Sequence, residues 1–139
     1  MGYGQGYDIV ANALKLRLRK LDEIRAKGVG VVLLAHAQAK RFESPITEAY
    51  DRYCLKLREK EIGASKEWCD ALLFVTYKVA IRESNTGKNK GIGSGDRIIY
   101  TEERPAYDAK NRYALPHTID FNCDNLFSLI RQSVKVEKE

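Results

Sequence analysis

Apolar residues recur at helical spacing near the start of the chain. Between residues 9 and 27 they are separated by steps of four and three, and basic residues fill much of the remaining surface. The apolar positions are Val10, Leu14, Leu18, Leu21 and Ile24. This spacing predicts an amphipathic helix over 9–27 that ends at Gly28. The glycine- and tyrosine-rich residues 1–7 are predicted to form a loop, with Asp8 as the helix cap.

A continuous apolar run follows this helix. Residues 30–35 read GVVLLA, without the polar alternation of a half-exposed strand. Such a run predicts a strand buried on both faces, as parallel sheets require. Helix, glycine turn and buried strand form an αβ unit. The predicted fold class is therefore α/β, with a mostly parallel sheet flanked by helices.

The rest of the chain alternates between polar and apolar stretches. Residues 37–52 are predicted to form a polar loop, and 53–68 a helix interrupted at Gly63. Apolar, β-branched stretches at 71–81 and 97–101 predict a β-hairpin extension around a glycine- and lysine-rich loop at 82–96. The remaining predictions are short strands at 106–109 and 118–121 and a terminal helix at 124–133.

Composition narrows the class of protein. A chain of 139 residues suits one domain. Its 24 basic and 19 acidic residues give a net charge of +5, which permits a polyanionic partner. Three cysteines without CxxC spacing argue against a disulfide framework or a zinc ribbon and favour a reducing cytoplasm. No apolar run reaches the length of a membrane span, so no membrane association is expected.

Phosphate-binding motifs are absent from the sequence. No GxxxxGK[ST] occurs, and the nearest stretch, TGKN at 86–89, lacks both the upstream glycine and the hydroxyl residue that would reach magnesium. No apolar strand ends in an aspartate suited to holding a metal-bound water. We therefore expect that this chain alone does not hydrolyse a nucleotide.

Polar side chains follow the apolar run directly. His36 and Gln38 stand two residues apart, so an extended chain points both to one side. An imidazole and an amide there suit a phosphate oxygen, and Lys40 and Arg41 add positive charge. The alternative is a buried histidine whose hydrogen bonds the backbone satisfies.

At this point the order of motifs becomes distinctive. A helix, VVLLAHAQAKRF, a polar loop, WCDALLF, a hairpin and EERPAYDAKNRYALP follow one another. This order resembles the phage and prophage RecA-like, AAA-type nucleotide-binding proteins, some of which act as single-strand-annealing or recombination ATPases. The resemblance runs from about residue 2 to 121.

In that family the Walker A and Walker B segments precede the stretch that begins here at GYGQGYD. The resemblance therefore implies that residues 1–139 are a single, truncated RecA-like domain, the C-terminal half of the core. ATP and Mg²⁺ serve the complete family protein, and none is expected to bind this chain alone.

The resemblance also assigns roles to residues near the first predicted strand. His36 and Gln38 match the position that senses the γ-phosphate, and the loop at 42–52 matches the region that faces DNA. The expected contacts to single-stranded DNA come from Lys40, Arg41, Arg52, Tyr50 and Tyr53. The alternative is an ordinary solvated loop, because acidic residues dilute its charge.

A second cationic pair lies near the C-terminal end of the resemblance. Lys110 and Arg112 stand two apart on a predicted strand and suit the charge of a transferring phosphoryl group. The segment is similar to the AKNR stretch of hexameric replicative helicases, which makes Arg112 the trans arginine finger and Lys110 its partner. Tyr113 and Ala114 depart from the helicase pattern, which has a glycine-containing turn there. The alternative is a solvated strand face.

These observations predict a nucleotide-binding module of a phage-type DNA recombination ATPase. It would contribute the γ-phosphate sensor and the arginine finger but not the phosphate loop. The alternatives are a non-enzymatic DNA-binding or interaction module, or a decayed prophage fragment of the same fold. Strand edges left without neighbours predict self-association or pairing with a missing N-terminal half.

Overall fold

The computed structural model describes residues 5–83 and 89–136 and divides the chain into two compact units, Met1–Cys69 and Asp70–Glu139. Among the described residues, no helix combines the length and the apolarity needed to cross a bilayer.

The first unit contains two helices and a β-hairpin. Helix α1 spans Gln5–Arg25, strands β1 and β2 span Ala37–Phe42 and Tyr50–Leu55, and helix α2 spans Glu59–Trp68. The predicted first helix is confirmed. It begins earlier than expected, so the predicted loop at 1–7 is wrong from Gln5 onward.

The two ends of α1 show how local sequence sets its limits. Asp8 lies in the first turn of the helix rather than at its cap, where its charge still favours the helix dipole. At the other end Gly28 has φ +81°, and its N–H donates to the carbonyl of Arg25 at 2.8 Å. Because this left-handed backbone is costly for other residues, the glycine ends the helix as predicted.

The two helices of the first unit pack against each other. Its buried apolar side chains are Ala11 and Leu18 on α1 and Ala64 on α2. Near the C-terminal ends of both helices, Nε1 of Trp68 donates to Oδ1 of Asp22 at 2.8 Å. The first unit is thus held by a small helix–helix contact.

The predicted strand at 30–35 does not form in this structure. Residues 29–36 have no regular secondary structure, and the side chains of Val32 and Leu34 are 64% and 96% exposed. A doubly buried strand needs hydrogen-bonded neighbours on both edges and cover on both faces. No strand in the described part of the chain pairs with this segment, so the apolar run remains uncovered.

The predicted loop at 37–52 is instead most of a β-hairpin. Strands β1 and β2 are antiparallel and pair from Ala37 with Leu55 to Phe42 with Tyr50. The helix predicted over 53–68 is correct only from Glu59 onward, because the three residues from Tyr53 belong to β2.

The second unit is mostly antiparallel sheet with one helix. Its strands are β3 (Ala71–Leu72), β4 (Phe74–Glu83), β5 (Asn89–Tyr100), β6 (Lys110–Asn111) and β7 (Thr118–Asp120), and helix α3 spans Cys123–Val136. One sheet has the order β4-β5-β7, and β3 pairs with β6. The predicted hairpin extension is confirmed, although its pairing reaches into the predicted loop as far as Glu83 with Asn89. The centre of that loop, 84–88, lies outside the described residues.

Two predictions about the sheets require correction. The mix of helices and strands fits the α/β class, but every strand pairing among the described residues is antiparallel rather than parallel. The strand predicted at 106–109 is displaced to Lys110–Asn111, because residues 104–107 close a tight turn with Arg104 bridged to Tyr107.

The core of the second unit lies between its sheet and α3. Ile99 is 1% exposed and pairs across the sheet with Ile119, and Leu115 completes the buried cluster. Helix α3 covers this cluster with Leu126, Leu129 and Ile130. Leu129 and Ile130 follow Leu126 by three and four residues, so all three side chains lie on one face of the helix. This spacing explains the correct prediction of a terminal helix.

Candidate functional site

Strand alternation sorts the predicted DNA-contacting residues onto two faces of the first hairpin. Lys40 pairs with Arg52, two residues from the pair formed by Phe42 and Tyr50, so these four share a face. Gln38 continues the same row. We call this set, Gln38, Lys40, Phe42, Tyr50 and Arg52, the cationic face.

The remaining two predicted contacts lie on the opposite face of the hairpin. Arg41 is directly across from Asp51, and Tyr53 is across from Ala39. Tyr53 is 48% exposed. The structure therefore brings Lys40, Arg52 and Tyr50 together and separates Arg41 and Tyr53 from them.

Rings and cations contact each other on the cationic face. The guanidinium carbon of Arg52 lies 5.0 Å from the ring centroid of Phe42, within the range of a cation–π interaction. The rings of Phe42 and Tyr50 lie 5.4 Å apart and are tilted by 46°. This arrangement holds an arginine against an aromatic pair, the combination that contacts both phosphates and bases in single strands.

Lys40 is held by an ion pair with the first residue of α2. Its Nζ lies 2.6 Å from Oε1 of Glu59, and its side chain remains 49% exposed. The hydrogen bond and the charge of Glu59 raise the pKa of Lys40, and Lys40 in turn lowers the pKa of Glu59. The lysine is therefore positively charged throughout the ordinary pH range, with part of its charge offset.

The cationic face leads to a cleft in the same unit. The cleft has a volume of about 940 Å³ and is bounded by α1, the end of the hairpin and the start of α2. Its lining residues are Gly6, Tyr7, Ile9, Val10, Ala13, Leu14, Arg17, Gln38, Lys56, Leu57, Arg58 and Glu61. Gln38 belongs to both the cleft and the cationic face.

The two predicted sensor residues differ in their surroundings. Gln38 lines the cleft, where its Nε2 donates to the carbonyls of Leu55 at 3.3 Å and Leu57 at 3.5 Å. His36 is exposed, and its carbonyl accepts a hydrogen bond from the N–H of Lys56 at 2.8 Å. The histidine is thus not the buried, backbone-satisfied side chain of the alternative interpretation.

Charged residues that the sequence analysis did not single out line the cleft. Arg17, Lys56 and Arg58 supply three cations, and the Arg58 guanidinium carbon lies 3.9 Å from the ring centroid of Tyr7. The cleft is also lined by the carboxylate of Glu61, a residue that is only 5% exposed. Glu61 is the third residue of α2, the position from which a glutamate side chain reaches back to the backbone at the helix start.

Glu61 has one satisfied and one unsatisfied carboxylate oxygen. Its Oε2 accepts the backbone N–H of Arg58 at 2.9 Å, whereas its Oε1 is buried without a hydrogen-bond partner. A buried acceptor without a hydrogen bond is unfavourable, so a hydrogen bond donated to this atom would be stabilising.

The predicted finger residues lie in the second unit. Lys110 is in β6, opposite Leu72, and Arg112 follows the end of that strand. Arg112 is 56% exposed, and its Nη1 lies 3.3 Å from Oδ1 of Asp70. The backbone N–H of Arg112 also donates to the carbonyl of Asp70 at 3.1 Å. The structure therefore gives Arg112 an acidic partner on the surface.

A turn directly after Arg112 is organised by Asn111. Its Oδ1 accepts the N–H groups of Tyr113 at 3.2 Å and Leu115 at 3.1 Å. Its Nδ2 donates to the carbonyl of Leu115 at 2.9 Å and to Oγ1 of Thr101 at 3.4 Å. Within this turn Ala114 has φ 49°, a left-handed backbone that glycine adopts more easily.

A separate aromatic stack lies at the end of the three-stranded sheet. The rings of Tyr100 and Tyr107 lie 4.5 Å apart, and Tyr107 also stacks on Phe74 at 5.2 Å. Burial in this stack raises the pKa of the Tyr107 hydroxyl. The stack packs one corner of the sheet.

Comparison with known proteins places these residues in a family. A search of curated proteins gave no match, and neither did a search of solved structures. A family model described as an AAA domain matches residues 1–113, a stretch that includes both the predicted sensor and the predicted finger. AAA domains are ATPase-type, nucleotide-binding modules that use ATP and Mg²⁺ in complete proteins. Because the match covers most of the sequence, the chain belongs to the AAA domain family.

Proposed function

We propose that the chain is the nucleotide-sensing and DNA-contacting module of a phage-type recombination ATPase. The observation that carries the proposal is the family match over 1–113, which spans Gln38 at the cleft and the pair Lys110 and Arg112. The recombination role rests on the resemblance of LLAHAQAKRF and EERPAYDAKNRYALP to the phage RecA-like proteins.

The cleft suits a residue that responds to a phosphate. Arg17, Lys56 and Arg58 give the surface around Gln38 a positive charge that favours an anion, and the Gln38 amide would exchange its hydrogen bonds to the carbonyls of Leu55 and Leu57 for one to the phosphate. The exposed His36 lies two residues away along the chain. These residues fit the charge of a phosphate, whereas the sequence holds no GxxxxGK[ST] loop to cradle one. In the proposal, ATP and Mg²⁺ are therefore bound by the complete ATPase.

Arg112 suits the role of an arginine finger because its present partner is weak. An exposed ion pair such as Arg112–Asp70 contributes only about 0–1 kcal/mol. Exchanging Asp70 for a phosphoryl group on a neighbouring subunit therefore costs little. Lys110, two residues earlier, would stand beside the finger.

The second part of the proposal assigns single-stranded DNA to the cationic face. Arg52 on the Phe42 ring, with Tyr50 and Lys40 beside it, combines phosphate contacts with a stacking surface. This observation also supports the second candidate function, a DNA-binding module without ATP chemistry. The two candidates differ in whether Gln38 and Arg112 affect ATP turnover.

ATP turnover by the chain alone gives the first test. Phosphoryl transfer depends on positioning and charge neutralisation by the phosphate loop and magnesium. We therefore expect turnover with Mg²⁺ and ATP to remain at background, with no tight ATP binding in isothermal titration. Robust hydrolysis that persists in both His36→Ala and Arg112→Ala would contradict the proposal.

A further inference from the structure

We infer that the cleft between α1 and α2 binds one nucleotide unit of a single strand whose neighbouring nucleotides lie along the cationic face. This inference rests on the proposed contact between the hairpin and DNA, and it makes the phosphate of the strand, rather than that of ATP, the anion that Arg17 and Lys56 hold in the cleft. It adds Tyr7, Arg17, Arg58 and Glu61 to the binding surface and gives Glu61 a role in recognising the base.

The cationic face and the cleft are continuous. Gln38 belongs to both, and same-face residues of a strand are separated by about 7 Å, twice the rise per residue. The row from Phe42 through Lys40 to Gln38 therefore spans about 14 Å before it enters the cleft. Lys40 also bonds to Glu59, the residue next to Arg58 at the cleft wall.

Glu61 determines the kind of ligand that completes the cleft. Its Oε1 is buried without a donor, so a bare phosphate would leave this atom unsatisfied, whereas an N–H group in the cleft can satisfy it once the Glu61 side chain turns toward the cleft. A cationic ligand is disfavoured by the three cations on the walls. A nucleotide carries a donor and an anion in one molecule, because the Watson–Crick edge of every unpaired nucleobase presents an N–H group and every phosphate is negative.

The other walls of the cleft match the remaining parts of a nucleotide. Tyr7 is 51% exposed, and together with Val10 and Leu57 it offers apolar surface to a base. Arg17 and Lys56 are positioned on the wall for the phosphate. A volume of about 940 Å³ falls within the roughly 300–1,000 Å³ typical of small-molecule sites.

A substitution of Glu61 tests whether the cleft recognises a base or only attracts the negative charge of DNA. In Glu61→Gln the side-chain oxygen still accepts the N–H of Arg58, while the charged acceptor is lost. The matched control is Glu67→Gln, which removes the same charge from an exposed position of α2. On charge alone, both variants should bind DNA as tightly as the wild type or slightly more tightly.

The experiment measures fluorescence anisotropy of labelled oligodeoxythymidine at low salt, with circular dichroism to check folding. We expect Glu61→Gln to bind about tenfold more weakly, as for loss of a hydrogen bond to a charged group, and Glu67→Gln to bind like the wild type. An oligomer of the same length with abasic positions should bind the wild type more weakly than the intact oligomer does. It should bind the wild type and Glu61→Gln with equal affinity.

The outcomes separate this inference from the proposed function. If Lys40→Ala with Arg52→Ala weakens binding but Glu61→Gln behaves like Glu67→Gln, the hairpin contact stands and the cleft assignment is wrong. If the folded wild type binds no oligomer, the DNA part of the proposed function and this inference fail together.

Discussion

Asn111 shows how one side chain compensates for an unfavourable backbone beside the candidate finger. The turn after Arg112 contains Ala114 in a left-handed conformation, which costs a non-glycine residue about 1–2 kcal/mol. Asn111 bonds to both ends of this turn and to the fully buried Thr101. The departure of Tyr113 and Ala114 from a glycine-containing turn was visible in the sequence, but the asparagine that holds the turn was not.

The first prediction concerns this turn. Asn111→Ala removes the hydrogen bonds to Tyr113 and Leu115 and leaves their backbone groups without this partner. We expect the free energy of unfolding to fall by about 1–3 kcal/mol, measured by urea denaturation followed by circular dichroism. Asn125→Ala, at an exposed position of α3, should change it by less than about 0.5 kcal/mol. Equal stability of the two variants would contradict the role given to Asn111.

At the scale of elements, the sequence predicted the helices better than the first hairpin. The spacing of apolar residues identified α1, and Gly28 identified its end. Strand β1 reads AQAKRF and leaves both faces largely exposed, and its only apolar residues before Phe42 are two alanines, which are too small to indicate a buried face. Its pairing comes from contacts across the hairpin, such as Arg52 with Phe42, that a single stretch of sequence does not reveal.

The hairpin also divides the predicted DNA contacts into two sets, which gives a second prediction. Lys40→Ala with Arg52→Ala should weaken binding to single-stranded DNA and make it less dependent on salt, because two phosphate contacts are lost. Arg41→Ala, on the opposite face, serves as the control and should have a smaller effect. Binding isotherms at several salt concentrations measure both quantities. An Arg41 effect as large as that of the pair would show that the cationic face is wrongly assigned.

At the scale of the whole molecule, the uncovered segment at 29–36 explains why the predicted parallel sheet is not seen. Its run of valine and leucine was predicted to form a strand buried on both faces, yet such burial depends on neighbouring strands. The described residues provide none, and Leu34 is almost fully exposed. The family match was likewise anticipated from motifs, whereas the cleft was not, because its lining residues come from three separate elements.

This segment carries the prediction of self-association. An exposed apolar stretch without sheet partners favours pairing with another chain. We expect the mass measured by light scattering to rise with protein concentration, and Leu34→Glu to reduce that rise. Leu16→Glu, at a position of α1 that is 59% exposed, introduces the same charge and should have little effect. A strictly monomeric mass at high concentration would contradict the prediction.

The most direct test of the central claim is the rate of ATP hydrolysis when this chain is mixed with a polypeptide that carries the GxxxxGK[ST] half of an AAA domain. If the chain supplies a sensor and a finger, turnover should appear only in the mixture. Arg112→Ala should then reduce turnover about 10³-fold or more with nearly unchanged ATP affinity, as for loss of an arginine finger. Arg104→Ala, outside the proposed site, should leave the rate nearly unchanged. Turnover in the mixture that is insensitive to both Gln38→Ala and Arg112→Ala would contradict the account.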